Sequence, residues 1–104
     1  MVDYDFFTKQ AKMLNLKQID LTGDSYYINT VKPATETLRY NVLCGNVTVW
    51  PRVYYSDLAK EIRTENENFV VDTNERLEEL CTIIQMNLKK IKMELRLSKM
   101  KKDF

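Results

Sequence analysis

Histidine is absent from this chain of 104 residues, and glycine, proline and cysteine occur only twice each. Without histidine there is no Ser–His or Cys–His nucleophile pair, no imidazole metal ligand and no usual general base near neutral pH. Two glycines are too few for a phosphate-binding glycine-rich loop. The many carboxylates lie in polar stretches that are typical of solvated surface. We therefore predict that the protein is not an enzyme and has no catalytic residues, cofactor or metal site.

Long apolar runs are also missing. No run approaches the roughly 18 residues of a membrane span, and the N-terminal residues MVDYDFF lack the basic-then-apolar order of a signal peptide. We expect a soluble, cytoplasmic protein without a membrane partner, located in the host cytoplasm or the virion if it is viral. Cys44 and Cys81 form no CxxC motif, which predicts two free, buried thiols rather than a disulfide.

The residues that are present suit one globular domain over residues 1–104, since 44% are hydrophobic and 30% are charged. The net charge of +1 hides an asymmetry, because residues 81–104 carry seven basic and only two acidic groups. Lysine, asparagine, isoleucine, tyrosine and phenylalanine are frequent, a bias typical of AT-rich coding. This bias favours an origin in a phage or a low-GC bacterium.

Both glycines lie between segments of alternating polarity, as Gly23-Asp24 and Gly45-Asn46. Each pair suits the two-residue type II′ turn of a β-hairpin. The resulting registers place Asp20 opposite Tyr27 and Arg39 opposite Arg52, with apolar residues together on one face. The sequence therefore predicts a four-stranded antiparallel sheet with strands at 17–22, 25–31, 37–44 and 47–53. Pro51 indicates that the last strand is an edge or ends there.

Three helices are predicted around this sheet, which makes the fold class α+β. Asp3 can cap a short N-terminal helix that ends near Leu14, and Ser56 can cap a short helix after the sheet that carries Leu58 and Ile62. Asp72 has capping-box spacing to Glu75, and nothing breaks the helix between there and Lys102. Within residues 72–102, a helix of about 29 residues is a rod of roughly 44 Å, so we expect its far end to project from the domain.

The long helix has two apolar faces. One is the stripe of a helix docked on a core and contains Leu77, Leu80, Cys81, Ile84, Leu88, Ile91 and Leu95. The opposite face is the candidate interface and contains Ile83, Met86, Met93, Leu97 and Met100. This second face is either covered by other parts of the chain, left exposed as scattered apolar residues, or bound to another copy or a partner. The length of the rod favours binding.

A second candidate surface is the outward face of the predicted sheet, where an anion or a partner could bind. It combines Tyr27, Arg39, Trp50 and Arg52, with Asn29 and Asn41 beside them. Two arginines opposite each other are unfavourable unless an anion neutralises them, and arginines among aromatic rings suit base stacking or a protein hot spot. The alternative is that helices cover this face and that Trp50 belongs to the core.

These features favour a protein–protein interaction or assembly module that self-associates or docks through its C-terminal helix. A small phage or viral accessory or structural protein is the kind of protein expected, and a homo-oligomer or a protein partner the kind of complex. The alternative is a nucleic-acid-binding protein that uses the basic helix end and the arginine–aromatic sheet face. The near-neutral net charge makes this second hypothesis the weaker one.

Overall fold

The computed structural model describes residues 1–18, 24–28 and 35–102, with only the backbone described for 99–102, and the fold is α+β. The elements in chain order are α1 (Tyr4–Met13), β1 (Ser25–Tyr27), β2 (Glu36–Asn41), β3 (Asn46–Val49), β4 (Val53–Ser56), β5 (Glu61–Thr64), β6 (Phe69–Val71) and α2 (Asn74–Lys102). The predicted four-stranded antiparallel sheet, short N-terminal helix and long C-terminal helix are confirmed.

The four-stranded sheet has the order β1-β2-β3-β6, and β4 pairs with β5 in a separate two-stranded sheet. One of the four described strands is therefore the apolar run Phe69–Val71, which the sequence did not predict as a strand. Lys17 makes only an isolated bridge with Tyr27, through backbone hydrogen bonds of 2.6 and 2.8 Å. Because Asp20 was predicted opposite Tyr27, this register differs by three residues. The predicted turn residue Gly23 and most of the predicted strand lie outside the described residues.

The hairpin between β2 and β3 forms with a register different from the predicted one. Asn41 lies opposite Asn46, which leaves a four-residue loop of residues 42–45 in place of the two-residue turn. Gly45 has a φ of +67°, and its N–H donates to the Asn41 carbonyl at 2.8 Å. The register shift is four residues, an even number, so the predicted inward faces are kept. It nevertheless places Arg39 opposite Thr48, so the predicted Arg39–Arg52 pair does not form.

The predicted helix after the sheet is wrong, because the chain forms the β4–β5 hairpin there. The Ser56 hydroxyl does accept the Ala59 N–H at 3.2 Å, as a helix cap would. The same bond also closes a turn. Lys60, the last residue of that turn, has a φ of +56°. Five of the eight residues in the two flanking strands are β-branched or aromatic, types that favour strands. Leu58 is fully exposed at the turn, and Ile62 packs against the core.

Two helices cover the inner face of the sheet. The helix α2 begins at Asn74, one residue later than a cap at Asp72 would place it. Thr73 is the cap instead of Asp72, because the Thr73 hydroxyl accepts the Arg76 N–H at 3.2 Å. The start of α1 is held to the start of α2, since the Asp3 N–H donates to the Asn74 side chain at 3.1 Å. The buried core contains Val2, Phe7, Ala11, Leu14, Leu38, Val47, Val49, Val71, Leu77, Leu80, Cys81, Ile84 and Leu88.

Candidate interface on the C-terminal helix

The first half of α2 docks on the sheet and on α1. The residues that it buries are Leu77, Leu80, Cys81, Ile84 and Leu88, which follow one another at intervals of one, three or four positions. This is the spacing that keeps side chains on one helix face. The predicted core stripe is therefore correct as far as Leu88. Burial raises the pKa of the Cys81 thiol to about 12, with a further contribution from the Glu78 carboxylate.

Burial on α2 stops after Leu88. Ile91 is half-buried, Leu95 is exposed, and no residue from Lys89 to Ser98 is buried. Ile91 and Leu95, the last two residues of the predicted core stripe, therefore lie beyond the part of the helix that packs on the core. The described chain measures 53 × 26 × 22 Å along its principal axes, and α2 has 29 residues, about 44 Å at 1.5 Å per residue. The distal half of the helix accounts for the elongation.

The opposite side of α2, here called the outer face, consists of the candidate interface residues and Lys90, which lies among them. The side chains are 46% exposed at Ile83, 65% at Met86, 63% at Met93 and 53% at Leu97. Met100 lies in the last turns of the helix, where only the backbone is described. No other element of the described chain covers this face. Four large apolar side chains are therefore in contact with solvent along one side of a single helix.

The two arginines of the predicted anion-binding face both have acidic partners within the chain. Arg39 donates to Glu36 at 2.6 Å and lies over the Trp50 ring, 5.4 Å from its centre. Arg52 donates to Glu67 at 2.8 Å, outside the four-stranded sheet. Exposed pairs of this kind add little stability, but they remove the electrostatic reason for binding an anion there.

The remaining residues of that predicted face are not gathered into one site. Tyr27, on β1, lies opposite Glu36 of β2. Trp50 follows β3 and is half-buried, so it is not a core residue. The Asn41 amide donates to Asn46 and Thr48, whereas Asn29 lies outside the described residues. Arg39 and Trp50 are in contact, whereas Arg52 pairs with Glu67.

Two further surface features were not predicted. The loop between β2 and β3 exposes Val42, Leu43 and Cys44 beside Val70 of β6. Cys44 is free, as predicted, but exposed, because the shifted register places it in the loop. An open cleft of about 460 Å³ separates β4 from the distal half of α2 and is lined by Arg52, Val53, Tyr54, Tyr55, Glu65, Asn87, Lys90, Ile91 and Glu94. The exposed loop could have been predicted from the sequence if its length had been known, whereas the cleft could not.

Among the residues that the structure describes, no three His, Cys, Asp or Glu side chains are grouped so as to hold a metal ion. No helix in the described part of the chain is long and apolar enough to cross a membrane. Comparison with family models, with curated proteins and with solved structures finds no match for this chain.

Proposed function

We propose that the protein is an interaction or assembly module that binds another protein chain through the outer face of α2. The observation that carries this proposal is the exposure of Ile83, Met86, Met93 and Leu97 on the side of the helix that faces away from the core. Single exposed apolar residues are common on protein surfaces. A row of them along a projecting helix is instead typical of a helix that binds a partner.

The chemistry of the outer face supports a protein as the partner. Methionine is flexible and polarizable, so it adapts to apolar surfaces of different shape. Lys90 is the charged residue among these apolar positions, and its aliphatic stem can cover apolar surface while the ammonium group stays in water. The exposed loop at Val42 and Leu43 is also apolar, but it is only four residues long and is a smaller contact surface than the helix.

Nucleic-acid binding remains the alternative outcome, and it would use the basic residues of the distal helix. Lys89, Lys92 and Arg96 follow one another at intervals of three and four residues and line one side of the helix, whereas Lys90 lies on the outer face. This short basic row is what favours the alternative, and the acidic partners of Arg39 and Arg52 weaken it. Such binding would fall steeply with salt, whereas apolar contacts through the outer face would not.

Site-specific photocrosslinking in the cells that make the protein tests the proposal. A photoreactive phenylalanine analogue placed at Met93 should give a discrete protein adduct, and Leu97→Glu in the same chain should abolish it. The matched controls are the same analogue at Ser98, which lies off the outer face, and Leu58→Lys, which removes a leucine that is even more exposed and lies on another part of the chain. Equal adducts at Met93 and Ser98, or none at either position, would contradict the proposal.

A further inference from the structure

The spacing of the outer face is that of a coiled-coil seam. Its positions are Ile83, Met86, Lys90, Met93, Leu97 and Met100, which follow one another at intervals of 3, 4, 3, 4 and 3 residues. This heptad spacing has a period of 3.5 residues and is the pattern by which one helix packs along another. A straight helix drifts by only about 20° per heptad relative to it, so these positions stay on one side of α2.

We infer that the outer face of α2 pairs with the same face of a second copy of this chain, antiparallel and around a two-fold axis near residues 91 and 92. This inference rests on the proposed function and names its partner. In that arrangement Met86 lies level with Leu97 of the second copy, Lys90 with Met93, and Ile83 with Met100. Every position of the seam then has a counterpart, as a two-fold interface between identical surfaces requires.

The charges of α2 favour the antiparallel orientation. Its first turns, residues 75–79, hold three acidic groups and one basic group, whereas residues 89–98 hold four basic groups and one acidic group. In the antiparallel pair, Lys101 and Lys102 come level with positions 82 and 81 of the second copy. They are then within about one helical turn of its Glu78 and Glu79. Acidic and basic ends therefore lie together.

A parallel pair would have the opposite effect inside the seam. It would place Lys90 against Lys90 of the second copy, at a position that is removed from water, where like charges repel strongly. It would gain a contact between Lys89 and Glu94, but an exposed ion pair contributes little. The antiparallel pair places Lys89 near Arg96 on its solvent flank, where salt screens the repulsion. The unfavourable contact in the seam therefore outweighs the favourable one at the surface.

The docked face leaves room for such a pair. Leu77, Ile84 and Leu88 hold the domain on the side of α2 opposite the seam, so the domains of the two copies lie on the outer sides of the helix pair. The exposed side chains of Met86, Met93 and Leu97 then become the buried layer between the helices. Lys90 is the polar residue of that layer, and a single lysine at such a position selects one register at a cost in stability.

Disulfide trapping distinguishes the two orientations, in a Cys44→Ser background that removes the exposed native thiol. Met86→Cys mixed with Leu97→Cys should form a disulfide-linked dimer under mild oxidation. Either variant alone should not, because a residue and its own counterpart lie about 16 Å apart along the axis. Self-linking of Met86→Cys without linking in the mixture would show a parallel pair and overturn the inference.

Light scattering on the unmodified protein and on Lys90→Leu completes the test. The unmodified chain should have twice the mass of one chain at high concentration. Lys90→Leu should lower the dimer dissociation constant roughly tenfold or more, because a polar residue leaves the seam. Lys92→Leu, an exposed lysine off the seam, is the matched control and should not change it. A monomer at every concentration would overturn the inference, while a photocrosslinked adduct with a different protein would still support the proposed function.

Discussion

Cys44 and Cys81 differ in their surroundings, and this difference predicts their reactivity. Cys44 is exposed in the loop after β2, and Cys81 is buried on the core side of α2. Burial also holds the Cys81 thiol in its protonated, unreactive form. We expect a thiol reagent to modify one cysteine of the folded protein rapidly and the second only on unfolding. Rapid modification of both thiols without denaturant would contradict this assignment.

The same thiol predicts how stability depends on alkaline pH. The pKa of Cys81 is raised from 9.0 to about 12 in the folded protein, so folding favours the protonated form. Below pH 9 the Cys81 thiol is protonated in both the folded and the unfolded protein, and its contribution to the free energy of unfolding is fully present. That contribution is lost progressively as the pH rises from about 9 towards 12, because the thiol then ionises more readily in the unfolded protein. The melting temperature should therefore fall more steeply above pH 9 in the unmodified protein than in Cys81→Ala. Parallel pH profiles for the two proteins would contradict the prediction.

Gly45 ends the loop between β2 and β3 in a left-handed backbone conformation. Its φ of +67° is accessible to glycine at no steric cost, and a Cβ atom there would also meet the Met1 side chain. We expect Gly45→Ala to lower the free energy of unfolding by about 1–2 kcal/mol. Gly45→Asn should cost less, because asparagine tolerates this conformation better. Urea unfolding of the three proteins measures both effects, and equal stabilities would show that the loop adopts another conformation.

At the scale of elements, the division of α2 into a docked half and a projecting half predicts two classes of variant. Ile84 is fully buried and Leu88 nearly so, so truncating either to alanine should cost about 2–5 kcal/mol. Such a loss is a large share of the stability of a small domain. Leu97→Ala should change the unfolding free energy of the dilute protein by less than about 0.5 kcal/mol. Chemical denaturation at low protein concentration makes the comparison. If Leu97→Ala destabilises as much as Ile84→Ala, the outer face belongs to the core.

The elements also show how far the sequence could predict the structure. Period-3.6 spacing and unbroken length predicted α2 and its core stripe, because both depend on residues that are close in the chain. The β4–β5 hairpin was missed because the Ser56 bond suits a turn and a helix start equally. The strand Phe69–Val71 was missed because its partner, β3, is about 20 residues away and a three-residue run has no period of its own.

The same limit applies to the candidate sites. The outer face of α2 could be predicted because residues three or four positions apart in the sequence lie on the same side of a helix. The arginine–aromatic face could not, since it depended on a hairpin register, and a shift of four residues separated Arg39 from Arg52. The acidic partners of these arginines, Glu36 and Glu67, had no recognisable pattern in the sequence.

In the molecule as a whole, one helix has two apolar faces: one docks on the core, and we propose that the other pairs with a second copy. Hydrogen–deuterium exchange at low and high protein concentration tests this claim most directly. Amides of residues 83–98 should exchange more slowly at high concentration, and those of the sheet should exchange equally at both. Leu97→Glu should remove the difference. Exchange in 83–98 that does not depend on concentration, or protection that appears on the sheet face around Arg39 and Trp50 instead, would contradict it.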